Sequence, residues 1–150
     1  MILSGKEILA RKIFAPSYDR TYHEESGMTF GAGPAGYDVR IRQDTILYPG
    51  DFKLASTVEY FTMPNDVLGS VHDKSTLARR GISVFNTIIE CGWKGFLTIE
   101  LVNKGEEIVY LKEGSPVAQV ILHLVQGEVV PYEGRYQNQP DEPVKAKYKE

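Results

Sequence analysis

Turn-forming residues interrupt the 150-residue chain again and again, and this cutting into short runs limits the fold more than any other feature. Pro34-Ala35-Gly36, Tyr48-Pro49-Gly50-Asp51, Met63-Pro64-Asn65-Asp66, Gly92-Trp93-Lys94-Gly95, Asn103-Lys104-Gly105-Glu106 and Lys112-Glu113-Gly114 each cut a short apolar or alternating run. Between them, Tyr37 to Ile41 alternates, with Val39 and Ile41 on one side and Asp38 and Arg40 on the other. Phe52 to Phe61 reads as a strand pair or one bent strand. Val67–Val71, Ile82–Phe85, Phe96–Leu101, Ile108–Leu111 and Val117–Val125 read as further strands. Residues 15 to 33 lack a period and are expected to form a long loop or an irregular hairpin. Helix is confined to residues 5 to 12, where Ser4 and Glu7 form a capping-box pattern, and to a turn over 75 to 80 with Ser75 as N-cap. The expected class is all-β, a barrel or sandwich with one short N-terminal helix.

The length suits one domain with its own core, assigned to residues 1–140, followed by a polar tail over 141–150 that is expected to be mobile. A net charge of -3 argues against a general nucleic-acid binder. One cysteine, Cys91, excludes an intrachain disulfide and fits a reducing compartment. The N-terminus carries no apolar leader pattern, and no run approaches the roughly 20 apolar residues of a membrane span. A cytoplasmic protein is expected, with no membrane or nucleic-acid partner. His23, His72 and His123 are scattered, and with a single cysteine the ligand set of a zinc nucleobase deaminase is absent from the sequence.

Chemistry-bearing residues concentrate between His72 and Leu101. Lys74-Ser75-Thr76-Leu77-Ala78-Arg79-Arg80 offers cations and hydroxyls, which suit phosphate oxygens and an ordered water. Glu90 and Glu100, ten residues apart, offer carboxylates that can move protons.

In this order along the chain, Met1–Ser4, Pro34–Ile41, Pro49–Tyr60 (PGDFKLASTVEY), Lys74–Gly81, Glu90–Gly95 with Thr98–Leu101, Gly114–Val120 and Tyr136–Gln139 form a pattern. The pattern resembles the dCTP deaminase branch of the trimeric dUTPase superfamily. The resemblance implies a distorted β-barrel related to the jelly roll, and a homotrimer with active sites between subunits. It implies deamination of dCTP without zinc, and magnesium carried by the triphosphate. The alternatives are hydrolysis of dUTP to dUMP and diphosphate, both reactions in one enzyme, or a barrel that binds nucleotide without turnover.

Roles follow from the same resemblance. Glu100 matches the catalytic glutamate; the plain alternative is an outward-facing residue of an alternating strand. Its apolar neighbours Ile99 and Leu101 suit the burial that raises a carboxyl pKa. Ser75 and Arg79 match the residues that organise water and triphosphate, in a segment whose Lys74, Thr76, Leu77 and Ala78 line the nucleotide. Lys74 stands where many relatives have arginine and lacks the bidentate fork. Glu90 replaces a family aspartate that contacts the sugar or activates water. Thr98 and Ile99, in the segment that resembles the catalytic one, are implied to bind the substrate. Tyr132, Arg135 and Gln139 match the C-terminal residues that cover the nucleotide. Asp38 is a candidate near the metal–triphosphate region, with a structural role as the alternative, and Gln119 has the same split. Trp93 is expected to be a core or turn aromatic without a catalytic role. Two departures stand out: Asn86–Ile89 is shorter than in typical dCTP deaminases, and the glycine-rich arginine motif that ends typical dUTPases is missing.

Overall fold

The computed structural model describes residues 1–148. The capping box forms: Ser4 Oγ accepts the amide of Glu7 at 3.3 Å and opens helix α1 (Gly5–Ala10), which buries Ile8. The helix ends before residue 12 because Arg11 closes its last turn and Lys12 enters the left-handed region at φ 53°.

Twelve strands follow among the described residues. They are β1 (Phe14–Ala15), β2 (Thr21–His23), β3 (Met28–Ala32), β4 (Tyr37–Arg40), β5 (Thr45–Leu47), β6 (Phe52–Thr62), β7 (Val67–Asp73), β8 (Ile82–Val84), β9 (Ile88–Ile89), β10 (Lys94–Asn103), β11 (Val109–Leu111) and β12 (Pro116–Leu124), with helix α2 (Ser75–Ala78) between β7 and β8. One sheet runs β1-β6-β10-β8 and a second β2-β3-β4-β12-β7-β9, while β5 and β11 pair apart. Every named pairing is antiparallel. The sheets curl around one core that includes Tyr37, Val39, Ile99, Leu101 and Leu122, all at most 1% exposed. Burying each such side chain contributes about 1.5–3 kcal/mol. Phe14 stacks on Tyr37 at 4.2 Å and meets Phe61 edge-on, and Phe61 meets Trp93 in turn. The structure thus bears out the all-β class, and residues 15–33 contain the β2–β3 hairpin.

The long strand Phe52–Thr62 is continuous but irregular. Thr57, Val58 and Glu59 stand opposite the single residue Leu97, because the register passes from Phe96↔Tyr60 to Thr98↔Ser56. The buried Thr57 hydroxyl holds this bulge, donating to the Glu59 carbonyl at 2.8 Å and accepting the Leu97 amide at 3.0 Å. The bulge turns Glu59 into the core, where its carboxylate is 0% exposed and binds the Arg40 amide and guanidinium at 2.9 and 2.8 Å. Burial pushes the Glu59 carboxyl up, opposed by its bonds to Arg40. Removing either partner of such a pair costs about 3–5 kcal/mol.

Two local expectations change. The cap of α2 is Lys74, with extended backbone, and Ser75 is the first helical residue, which leaves its hydroxyl free of the capping role. The segment after residue 140, expected to be mobile, contacts the barrel: the Val144 amide donates to Thr98 Oγ1 at 3.0 Å, and Asp141 lies 3.3 Å from the Arg42 guanidinium. Among the described residues, no helix is long and apolar enough to cross a membrane.

Candidate active site

Strand β10 carries the site. Its inward residues Ile99 and Leu101 fill the core at 1% and 0% exposure, so alternation turns Thr98 and Glu100 to the other face. Glu100 stands opposite Leu54 of β6, and Thr98 opposite Ser56. Along its other edge β10 has two successive partners. Val84 of β8 pairs with Leu101, and the C-terminal segment bridges Gly95 to Gln139, where the Phe96 amide donates to the Gln139 carbonyl at 3.1 Å. Between these partners opens a cavity of about 660 Å³. Its walls include Leu54, Glu90, Leu97, Glu100, Tyr132 and Val144.

The Glu100 carboxylate has no hydrogen-bond or ion-pair partner among the described residues. Burial pushes its carboxyl above the usual range, opposed by its own backbone amide. That burial has a different origin from the expected one. Ile99 and Leu101 point away from Glu100, and its apolar surroundings come from Leu54 across the strand pair and from the C-terminal segment above. Glu90, exposed at the end of β9, faces the same cavity.

The C-terminal segment is fixed by the residues quoted for its resemblance. Trp93 Nε1 donates to the Tyr136 carbonyl at 2.6 Å. The Gln137 amide group ties Gly92, Tyr132 and Lys94 together at 2.7–3.0 Å. Thr98 Oγ1 donates to Gln139 Oε1 at 3.2 Å and accepts from Val144. Trp93 is a core aromatic at 5% exposure that anchors this segment, as expected.

A second, polar cavity of about 270 Å³ lies at the other sheet. It is lined by Asp38, Lys74, Ser75, Thr76 and Gln119, and also by Arg20. Lys74 is ion-paired within the chain: its Nζ is 2.7 Å from Asp38 Oδ2, with the two side chains only 10% and 19% exposed. Asp38 is likewise committed to this pair.

The expected residues therefore divide between two cavities of one chain. Glu100, Glu90, Thr98, Tyr132 and Gln139 share the apolar one, and Ser75, Thr76, Lys74, Asp38 and Gln119 share the polar one. The side chains of Leu77 and Ile99 belong to the core, 3% and 1% exposed, so only their backbone can reach a ligand. Ala78 and Arg79 are exposed beside the polar cavity's helix but line neither cavity. Arg135 lines neither as well: its guanidinium donates to the Lys147 carbonyl at 2.7 Å, bracing the C-terminal segment. Sequence reasoning missed Val144 and Lys145 in the apolar cavity and Arg20 and Asp73 in the polar one. Val144, one of the few apolar residues after residue 140, was the available signal. Among the described residues no group of three or more His, Cys, Asp or Glu side chains is placed to hold a metal ion.

The dCTP deaminase-like family profile matches residues 32–125, and the chain belongs to that family. It is 38% identical over 96 residues to a dCTP deaminase of Pyrobaculum islandicum, covering 64% of this chain and 54% of that protein. It is 34% identical over 102 residues to a "dCTP deaminase, dUMP-forming" of Methanosphaerula palustris, covering 64% of this chain and 55% of that protein. The chain thus spans about half the length of these curated relatives. Among solved structures it is similar to the native dUTPase of EIAV, with a TM-score of 0.56 and 26% identity over 67% of this chain and 84% of that one. These similarities bear out the dUTPase-like fold expected from the sequence.

Proposed function

We propose that this protein deaminates dCTP to dUTP and ammonia, with Glu100 as the proton shuttle. The carrying observation is the Glu100 carboxyl: half-buried, raised by that burial, unpartnered, and facing a cavity large enough for a pyrimidine nucleoside. In the proposed reaction the ionised carboxylate takes a proton from water as the water oxygen bonds to C4 of cytosine, and passes that proton to N3. It then takes the proton of the new hydroxyl and delivers it to the amino group. The C4–N bond breaks, ammonia leaves and the carbonyl of uracil forms, so water is consumed and the carboxylate is regenerated. Thr98 and Gln139, hydrogen-bonded to each other, offer polar contacts at the cavity wall.

Ser75 and Arg79 would organise the attacking water and the triphosphate from a neighbouring subunit. Ser75 lines a different cavity from Glu100 within one chain, which supports a site completed between copies, in the homotrimer that the family resemblance implies. Magnesium would enter with the triphosphate and offset its charge. The residues present do not fit a protein-held metal cage, because Asp38 is paired with Lys74 and Asp73 accepts from Val84 and Ser83.

A second reading rests on Glu90, which faces the same cavity as Glu100 without an ion pair among the described residues. A carboxylate there could activate water toward the α-phosphate, adding dUTP hydrolysis to deamination and giving dUMP. Ion-exchange separation of products from dCTP and from dUTP tests both. Conversion of dCTP to dUTP supports the deaminase, dUMP that disappears in Glu90→Gln supports the second activity, and consumption of dUTP alone would overturn the assignment to Glu100.

A further inference from the structure

We propose that Arg20, which lies outside every segment that carries the family resemblance, holds the outer phosphates of the nucleotide in the polar cavity. This rests on the dCTP reading above for the identity of the ligand, though not for the cavity's preference for an oligophosphate.

The charges around the cavity single out this side chain. Lys74 and Asp38 neutralise each other at 2.7 Å. Asp73 accepts the Val84 amide at 2.7 Å and the Ser83 hydroxyl at 3.2 Å. Arg79 does not line the cavity. Arg20 is the remaining cationic residue of the lining, and its guanidinium has no carboxylate partner among the described residues. Beside it stand the hydroxyls of Thr29, Ser75 and Thr76, which can each donate to a phosphate oxygen. A guanidinium binds phosphate through two parallel N–H bonds, which the ammonium of Lys74 cannot do even when released. The volume of about 270 Å³ admits a di- or triphosphate but leaves little room for a base and sugar as well. The base side of the ligand is then left for the apolar cavity of a neighbouring copy.

The backbone that presents Arg20 is fixed on both sides. The Tyr18 amide donates to Tyr37 Oη at 3.0 Å, and the Tyr18 carbonyl accepts the Ala32 amide at 3.0 Å. The Arg20 amide donates to Asp19 Oδ1 at 2.9 Å, and β2 begins at the next residue. Gly31 makes this approach feasible: at φ +90° it lies so close to the loop that a Cβ there would meet the Asp19 carbonyl at 2.5 Å. The chain is thus ordered before the anion arrives, and only the arginine side chain remains to be immobilised.

The test uses the full chain with magnesium and sodium tripolyphosphate in a calorimeter, next to steady-state kinetics with dCTP. Arg20→Ala is expected to weaken tripolyphosphate binding and raise KM for dCTP by roughly 10-fold or more, with kcat at saturation changed less than about twofold. Arg20→Lys, which keeps the charge and loses the fork, is expected to fall between the two and controls for folding. Unchanged tripolyphosphate affinity in both variants, or no binding to the wild type, overturns the proposal. If dCTP is deaminated with unchanged KM in Arg20→Ala, the role of Arg20 fails while the deaminase stands. If no nucleotide is turned over but tripolyphosphate binding depends on Arg20, the deaminase fails and the anion site stands.

Discussion

Glu100 differs from an ordinary surface carboxylate by one environmental fact: its outer face is roofed. Alternation along Phe96–Leu101 assigns it to the face opposite Ile99 and Leu101, and a purely local reading leaves it in water. The roof comes from residues more than 30 positions downstream, which no periodicity within the strand can reveal. The consequence for stability has a definite sign. With the folded pKa above the unfolded value, the native state binds a proton more tightly. The contribution of Glu100 is therefore fully present below the ordinary glutamate pKa of about 4.3 and is lost as pH rises through the raised value. Glu100→Gln, neutral at all pH, removes that loss. It is expected to melt above the wild type at neutral pH, with the difference shrinking as pH falls toward about 4. Melting curves by circular dichroism across this range check it, and a variant that melts below the wild type at neutral pH contradicts the assigned burial. In catalysis the same shift acts from the acid side: deamination should fall as pH drops below the raised pKa, because a protonated carboxyl cannot accept a proton from water.

At the scale of elements, β10 joins the pieces of the site. It pairs with β6 through a bulge, with β8 at one end, and with the C-terminal segment at the other. The longer strands and the N-terminal helix were legible because each obeys a local rule, alternation, a capping box or a turn dipeptide, whereas the short strands β1, β5 and β9 were not read as strands. The bulge was not, because Ser56-Thr57-Val58-Glu59 reads as ordinary strand until Thr57 is seen bonding across to Leu97. The roof was legible only as a resemblance at Tyr136–Gln139, and its extension to Val144 rests on hydrogen bonds that carry no sequence period. Gly95 is the hinge of this arrangement. At φ +145° it lies against Gln139, and a Cβ would meet the Gln139 amide nitrogen at 2.6 Å. Gly95→Ala is expected to detach the segment: amide exchange over residues 136–147 should quicken, and KM for dCTP should rise several-fold. Unchanged protection there would show that the segment does not depend on this contact.

The whole molecule leaves an apolar surface that one copy cannot cover. Ile46 and Tyr110 stand directly opposite one another on β5 and β11, at 41% and 48% exposure. Phe52 and Phe85 pack against each other with ring centroids 5.7 Å apart while remaining about half exposed. Paired exposed apolar residues of this kind are candidates for an interaction surface. A trimer is expected to show a mass of roughly 50 kDa by light scattering, three times 16.8 kDa, and Tyr110→Asp is expected to shift it toward the monomer with loss of activity. A fully active monomer would contradict the split site. At this scale the sequence revealed the fold class and the residue types of the chemistry, but not their division. Lys74 to Thr76 and Glu90 to Glu100 are close in sequence, yet they line different cavities; between them the chain crosses from β7 to β8 in the other sheet, returns to β9 beside β7 and crosses again to β10.

The central claim is that Glu100 moves the protons of dCTP deamination, and ammonia release from dCTP by wild-type protein and by Glu100→Gln measures it most directly. The wild type should release one ammonia for each dUTP formed. The variant should release none above background while still binding dCTP in a calorimeter. Ammonia release that persists in Glu100→Gln, or a wild type that binds dCTP and releases none, would contradict it.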